Sequence, residues 1–176
     1  PSLLTDRCSC GASDLYKSQI KSTRDGTIDK WNSMFVVCGY SQRQGIDYDL
    51  SYSSTLRATR LRILLALAAK KKLRLEQVDG TCAFTQALID DVDIWVEPPK
   101  GYESYDENGQ SMVLKLKKAL YGSKQAGRCW QMALREFLIS PEMGFTCSLM
   151  DPCLFSCHRD GQTILIGAYV DDLVVA

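Results

Sequence analysis

The stretch Thr163-Ile-Leu-Ile-Gly-Ala-Tyr-Val-Asp-Asp-Leu-Val-Val-Ala176 sets two adjacent carboxylates, Asp171 and Asp172, among neighbours that are apolar or small and strand-forming. An ionised carboxylate resists burial unless it is paired or bound to a cation, and two like charges about 4 Å apart repel by about 4 kcal/mol at an effective dielectric near 20. A divalent metal would relieve that repulsion. A hairpin turn is the plainer account of the same residues, because Asp is a common turn residue and Asp-Asp between two apolar strands has the same pattern. On either account the run predicts two antiparallel strands with Asp171-Asp172 as their turn.

Working back along the chain, Cys153 to Cys157 is expected to pair with Thr163 to Val170 around Arg159-Asp160-Gly161. Ser123 to Ser140 has the spacing of a helix, with Ala126, Trp130, Ala133, Leu134, Phe137 and Leu138 on one face. Val113 to Lys117 alternates as a strand, Gly101 to Ser111 is a polar loop, and Ile94-Trp95-Val96 is a strand stopped by Pro98-Pro99. Asp90-Asp91 reads as an acidic turn, and Cys82 to Leu88 as a short helix or turn. Leu73 to Val78 alternates apolar and polar, a strand that delivers Asp79 at its end. Before it, Ser54 to Lys72 predicts a helix with an apolar stripe of Leu56, Leu61 (or Arg60), Ile63, Leu64, Leu67 and Ala68. Ser53, Ser54 or Thr55 would cap its start, and Lys70-Lys71-Lys72 suits its C-terminal dipole. Gln42 to Ser53 is rich in turn residues, and Asp14 to Tyr40 forms a basic hairpin around Arg24-Asp25-Gly26-Thr27. Strands mostly joined by turns, interleaved with two helices, predict an α+β fold: a mainly antiparallel sheet with helices packed on one face.

The whole-chain properties limit what such a fold does. With 176 residues there is material for one domain with a real core, and the composition, 45% apolar and 24% charged, is globular. There is no run of 18 uncharged apolar residues for a membrane span and no basic leader into an apolar segment, so neither a membrane protein nor a secreted one is expected. The chain opens at Pro1 and stops at Ala176 inside a strand-like run, and is expected to be a piece of something longer. Net charge is zero, yet residues 1 to 78 hold 13 Lys/Arg against 7 Asp/Glu, and residues 79 to 176 hold 8 against 14. A basic half beside an acidic half suits a protein that holds a polyanion with one part and cations with the other, although two solvated surfaces of opposite sign would give the same count. The eight cysteines lack the paired knuckles of a structural zinc site and read as small buried thiols. The single histidine, His158, precedes a turn, which excludes chemistry that needs two histidines.

An antiparallel sheet can bring Asp79, at the end of its strand, to Asp171 and Asp172 at the tip of a hairpin. Three such carboxylates would make an oxygen-donor site for Mg²⁺, which leaves places for water and phosphate. Two ions held this way would clamp an in-line displacement at phosphorus.

These residues also carry a resemblance. Gly45-Ile-Asp-Tyr-Asp49, Leu61-Arg-Ile-Leu-Leu-Ala-Leu-Ala-Ala69, Gln77-Val-Asp79 with Ala83-Phe84, Ile94-Trp-Val-Glu-Pro-Pro-Lys-Gly-Tyr102, Leu120-Tyr-Gly-Ser-Lys-Gln-Ala-Gly-Arg128 and Tyr169-Val-Asp-Asp172 stand in the order and spacing of reverse transcriptases of copia-type LTR retrotransposons. The resemblance covers nearly all of residues 14 to 176. It implies a right-hand polymerase fold, with 14–53 and 90–120 mainly fingers, 54–89 and 121–176 mainly palm, in one partial domain. It implies RNA-directed DNA polymerase activity by two-metal nucleotidyl transfer, with Mg²⁺, or Mn²⁺ in its place. Asp79, Asp171 and Asp172 resemble the metal-binding triad, with the Gly80 carbonyl as a further ligand. Phe84, with Ala83, resembles the aromatic gate beneath the incoming sugar, although core packing would account for Phe84 equally. Tyr121 and Gly122 resemble nucleotide contacts, and Tyr169 the aromatic residue that supports the primer end. The implied partners are an RNA template, a DNA primer, dNTP and the RNase H and integrase domains of a polyprotein. The implied setting is intracellular, in a cytoplasmic particle and the nucleus.

The sequence also departs from the pattern. Asn32 and Met34 stand where the family usually has a lysine and an arginine on the triphosphate, and charge-assisted bonds to phosphate are roughly twice as strong as neutral ones. Thr81 replaces a lysine, Ser123 a leucine and Gly127 a proline. Such changes beside an intact triad fit a decaying or divergent copy, so a catalytically inactive relic that keeps the fold, with weak nucleic-acid binding, is the alternative to an active polymerase core.

Overall fold

The computed structural model describes residues 15–89 and 92–176, with only the backbone for 15–21 and 29–33. The expected acidic turn at Asp90-Asp91 lies outside the described residues. The chain divides into two compact units, 1–51 with 88–126 and 52–87 with 127–176.

In the first unit, β1 (Leu15–Ser22) and β2 (Ile28–Val36) form the expected antiparallel hairpin. The Thr23 N–H donates to the Thr27 carbonyl at 2.8 Å, and Gly26 takes a φ of +80° in the turn. The short strands β4 (Trp95–Val96) and β5 (Leu114–Lys115) pair antiparallel, flanking the polar loop. Val37, Ile94 and Val96 are buried together, with Ile89, Leu116 and Leu120 against them.

The second unit holds a five-stranded antiparallel sheet in the order β3-β9-β8-β7-β6, from β3 (Glu76–Asp79), β6 (Thr146–Cys147), β7 (Leu154–Arg159), β8 (Gln162–Tyr169) and β9 (Asp172–Val175). The β7–β8 turn is Asp160-Gly161, both at positive φ, as a two-residue hairpin turn requires. Two helices, α1 (Ala58–Lys71) and α2 (Ala126–Ile139), pack on this sheet. No helix among the described residues is long and apolar enough to cross a membrane.

The helices do not share one face, contrary to expectation. Ile166 and Ala168 of β8 and Phe155 and Cys157 of β7 cluster with Leu134 and Leu138 of α2 and with Phe145. The alternate residues Leu165, Leu154 and Val174 of β9 pack instead with Leu64 and Ala68 of α1. Successive strand residues point to opposite faces, so each helix covers its own side. Gly167 marks the close approach of α1 and the residues just before it: a Cβ there would lie 2.9 Å from Leu56 Cδ2 and 3.2 Å from Leu64 Cδ1. The unbroken apolar run of β8 is what a strand covered on both faces needs.

Both helices are shorter than their periodicity predicts. The start of α1 is at Arg57, which is extended and gives no side-chain cap, rather than at Ser53, Ser54 or Thr55. Ser54 is committed elsewhere: its N–H donates to Gln131 Oε1 at 2.9 Å, and its carbonyl accepts the Cys153 thiol. That thiol is buried, and desolvation with the nearby Asp151 carboxylate pushes it up to about 11, so it stays protonated at neutral pH. At the other end Lys72 takes the left-handed conformation and closes α1 by donating to the Ala68 and Ala69 carbonyls. Ile63 and Leu67 of the predicted stripe are exposed, as is Phe137 of α2. The β3 strand begins at Glu76 rather than Leu73, and β6 was not anticipated at all.

Leu138 is 3% exposed and Phe137 57% exposed, so truncation separates the true core face of α2 from its apolar flank. Leu138→Ala is expected to cost about 2–5 kcal/mol in urea unfolding and Phe137→Ala less than about 1 kcal/mol.

Candidate active site

The strand β3 carries its carboxylate at its last residue. In the β3–β9 ladder Asp79 is directly opposite Asp172, Val78 opposite Leu173 and Gln77 opposite Val174. Asp172 is in turn opposite Tyr169 across the β8–β9 pair. Strand alternation therefore places Gln77, Asp79, Asp172 and Tyr169 on the face of α1, at the end of the sheet beyond the part that α1 covers. Asp79, Asp172 and Tyr169 are exposed there. Gln77 Nε2–H donates to Asp172 Oδ1 at 3.1 Å and so ties the outer strand's amide to that carboxylate.

The turn of this hairpin is Val170-Asp171, one residue earlier than expected, because Asp172 already pairs as the first residue of β9. Val170 has a φ of +53°, a conformation that two-residue hairpins usually give to Gly, Asn or Asp. For a β-branched residue it costs on the order of 1–3 kcal/mol and persists only where the surroundings over-determine it. Asp171 is half-buried, with Oδ1 shut off from solvent. Its carbonyl accepts the Gly80 N–H at 2.7 Å, which joins the end of β3 to the turn. A Cβ on Gly80 would lie 3.2 Å from that carbonyl, 3.5 Å from the Ala83 Cβ and 3.5 Å from Trp130 Cζ2. The Trp130 indole N–H donates to the Val170 carbonyl at 2.8 Å. Sequence reasoning placed Trp130 only on the core face of α2, since helical spacing says nothing about where an indole nitrogen ends.

Asp79 and Asp172 are hard oxygen donors on neighbouring strands, and Mg²⁺ is commonly held by one or two carboxylates with waters and substrate phosphates. The pair fits that ion. Among the described residues no three His, Cys, Asp or Glu side chains stand together as a ligand set. Ala83 is fully buried and Phe84 half-buried in a short 3-10 turn, Ala83–Gln86, that follows the strand.

Tyr121 and Gly122 belong to the first unit. The Val37 N–H donates to the Tyr121 carbonyl at 2.8 Å, and the two backbones nearly touch: a Cβ on Gly122 would fall 2.1 Å from the Val37 carbonyl, and one on Gly39 1.9 Å from the Gly122 carbonyl. A buried polar network holds this crossing. Gln125, 0% exposed, donates to the Asp47 carbonyl at 3.1 Å and accepts from Gln42 Nε2 at 3.2 Å, while Gln42 Oε1 accepts the Lys124 N–H at 2.7 Å. The Asp47 carboxylate accepts the Arg43 N–H at 2.7 Å. In the sequence Gln42 stands in a turn-rich stretch and Asp47 in the Gly45–Asp49 motif, and neither pattern reveals this network.

Two departures have local explanations. Buried Ser123 satisfies its hydroxyl on the Leu120 carbonyl at 2.9 Å. At Gly127 a Cβ would lie 2.8 Å from Ser53 Oγ, so the missing proline ring leaves room for that serine. Thr81 is exposed, and Asn32 and Met34 lie in β2 opposite Gln19 and Lys17.

Gly122 has a φ of +89°, so an added methyl is strained by both conformation and contact. Gly122→Ala is expected to cost about 3 kcal/mol or more in chemical denaturation, against about 1–2 kcal/mol for Gly109→Ala, which shares the positive φ, at +74°, but has open space around it.

Residues 3–176 match the family model "Reverse transcriptase (RNA-dependent DNA polymerase)". The chain is 35% identical over 155 residues, 88% of its length, to the retrovirus-related Pol polyprotein from transposon RE1 of Arabidopsis thaliana. It is 35% identical over 158 residues, 89% of its length, to that from transposon TNT 1-94 of Nicotiana tabacum, and 28% identical over 152 residues, 86% of its length, to the Ty1-MR1 Gag-Pol polyprotein of Saccharomyces cerevisiae. It spans about a tenth of the length of these relatives, 10%, 12% and 8% in turn. With the carboxylate pair on adjacent strands and a match along nearly the whole chain, this protein belongs to the reverse transcriptase (RNA-dependent DNA polymerase) family, in its copia-type retrotransposon branch.

Proposed function

We propose that this chain is the fingers and front palm of an RNA-directed DNA polymerase that extends a DNA primer on an RNA template by nucleotidyl transfer. The observation that carries the reading is the direct cross-strand pairing of Asp79 with Asp172, next to a strained turn that presents Asp171. Residues 54–89 and 121–176 are assigned mainly to the palm, and 14–53 and 90–120 mainly to the fingers. Asp79, Asp171 and Asp172, with the Gly80 carbonyl, would hold two Mg²⁺ or Mn²⁺ ions. When bound, these ions supply charge neutralisation on the phosphates and lower the cost of deprotonating the primer 3′-OH. The protein's own part is to orient. The β3–β9 register fixes the spacing of two carboxylates, and the Gln77 amide limits the rotation of Asp172. Tyr169, 54% exposed on the same face, offers a ring to the primer end. Phe84, with Ala83, is assigned to the incoming sugar, and Tyr121 and Gly122 are assigned as nucleotide contacts at the start of the palm helix. In the reaction the primer 3′-oxygen bonds to the α-phosphorus of a dNTP, and pyrophosphate leaves with the broken P–O bond.

That the chain spans 10% and 12% of relatives described as Pol polyproteins supports a polyprotein setting; RNase H and integrase domains as covalent neighbours, and an intracellular place of action, belong to the same proposal. Primer extension on an RNA template with Mg²⁺, with this chain in its polyprotein, tests the reading. Asp171→Asn is expected to lower the rate at least about 100-fold, as removal of a transition-state electrostatic group does. Equal extension by Asp171→Asn and the natural sequence would sink it, and extension by neither would favour the inactive relic.

The finger hairpin gives a second test. If Asn32 and Met34 mark lost phosphate contacts, Asn32→Lys with Met34→Arg is expected to lower the KM for dNTP about 10-fold in the same assay, near what one or two charge-assisted bonds contribute. An unchanged KM rejects that cause.

A further inference from the structure

The turn that carries Asp171 is held from two sides. Its two consecutive carbonyls are each engaged by a different element: that of Val170 by the Trp130 indole N–H of α2 at 2.8 Å, and that of Asp171 by the Gly80 N–H at the end of β3 at 2.7 Å. The indole also lies beneath Gly80, with Cζ2 3.5 Å from where a Cβ would be, so one side chain underlies both the turn and the strand that carries Asp79. Between the two bonds sits Val170 at a φ of +53°. A β-branched residue leaves that conformation unless something opposes it, and a two-residue turn has little of its own to do so. Relaxation of Val170 would rotate the following peptide and with it the direction of Asp171 and the first pair of the β8–β9 ladder, Tyr169 with Asp172.

We propose that Trp130 is a positioning residue of the carboxylate site: its N–H, more than its bulk, holds the Val170 peptide in the conformation that sets Asp171 and Asp172 against Asp79. This rests on the reading of those aspartates as metal ligands. Trp130 also packs against the cluster of Leu134, Leu138 and Phe155, so loss of the whole ring would confound the two roles. The decisive change removes only the donor. Replacing Trp130 by β-(3-benzothienyl)alanine keeps the bicyclic shape and puts sulfur in place of N–H, and Trp130→Phe removes both donor and bulk.

The test uses the full 176-residue chain, with hydrogen exchange of the Gly80 amide and Mn²⁺ titration by electron paramagnetic resonance as readouts beside the thermal midpoint. The benzothienyl form is expected to keep the midpoint near that of the natural chain. Its Gly80 exchange and its Mn²⁺ dissociation constant should each rise between about 2- and 10-fold, the range of one net hydrogen bond. Trp130→Phe should show the same rises together with a lower midpoint. Unchanged Gly80 exchange in the benzothienyl form overturns the hold on the turn. Faster exchange with unchanged Mn²⁺ affinity overturns the role in the site and leaves Trp130 a core residue. Asp172→Asn is the control: if it binds Mn²⁺ as the natural chain does, the metal reading falls and the function given to Trp130 falls with it, while Gly80 exchange decides the hold separately.

Discussion

The pairing of β3 with β9 is the constraint on which the second unit depends. It joins an outer strand, 95 residues earlier in the chain than its partner, to the hairpin of β8 and β9, and it puts Asp79 opposite Asp172. Two facing carboxylates are unfavourable neighbours in a ladder, where like charges directly opposite each other destabilise. The site therefore works against the sheet that carries it, and the sheet is stable because apolar burial elsewhere outweighs the repulsion. Phe155, Ile166 and Ala168 are sealed on one face, and Leu64 and Ala68 press on the other. Each such side chain contributes roughly 1.5–3 kcal/mol when fully buried, or less for alanine, so a few of them offset one exposed carboxylate pair.

The two units solve the positioning problem in different chemical terms. The carboxylate end of the second unit is organised by backbone pairing over an apolar core, with a single indole N–H and a single glycine where the chains come closest. The Tyr121–Gly122 segment of the first unit is organised by polar groups in the dry interior: the amides of Gln42 and Gln125 and the carboxylate of Asp47 are matched to backbone donors and acceptors. Buried polar groups are stable only when satisfied, and once satisfied they admit few alternative arrangements. A loop fixed this way needs no regular secondary structure to be rigid.

Much of this was legible in the residues. Asp25-Gly26 and Asp160-Gly161 are turn chemistry that any hairpin reading finds, and β1, β2, β7 and β8 follow from them. The carboxylate motif and Asp79 were visible because charge at the end of an apolar run is costly unless used. The strands β4 and β5 lie within the runs Ile94–Val96 and Val113–Lys117 that read as strands, whereas the two residues of β6 are too few for periodicity to register, and the start of α1 was misjudged because Ser54 forms its bonds with Gln131 and Cys153, far away in the chain. The placement of both helices on one face was wrong, although β8 held the contrary signal: residues 163–168 do not alternate with polar ones, as a strand solvated on one side would.

The sequence by itself determined the kinds of element, the turns between them and the chemistry at their ends, because these depend on neighbours within a few residues: periodicity, turn preferences and the cost of a charge beside apolar groups. Tertiary structure alone decided which carboxylates face each other, on which side of the sheet each helix lies, and why Val170 holds a conformation it would otherwise leave. Register, the close backbone approach at Gly122, the leucine side chains packed over Gly167, and the reach of the Trp130 indole to a carbonyl 40 residues on are set by contacts between distant segments. No local pattern encodes those contacts, because each is defined only once the other side is in place.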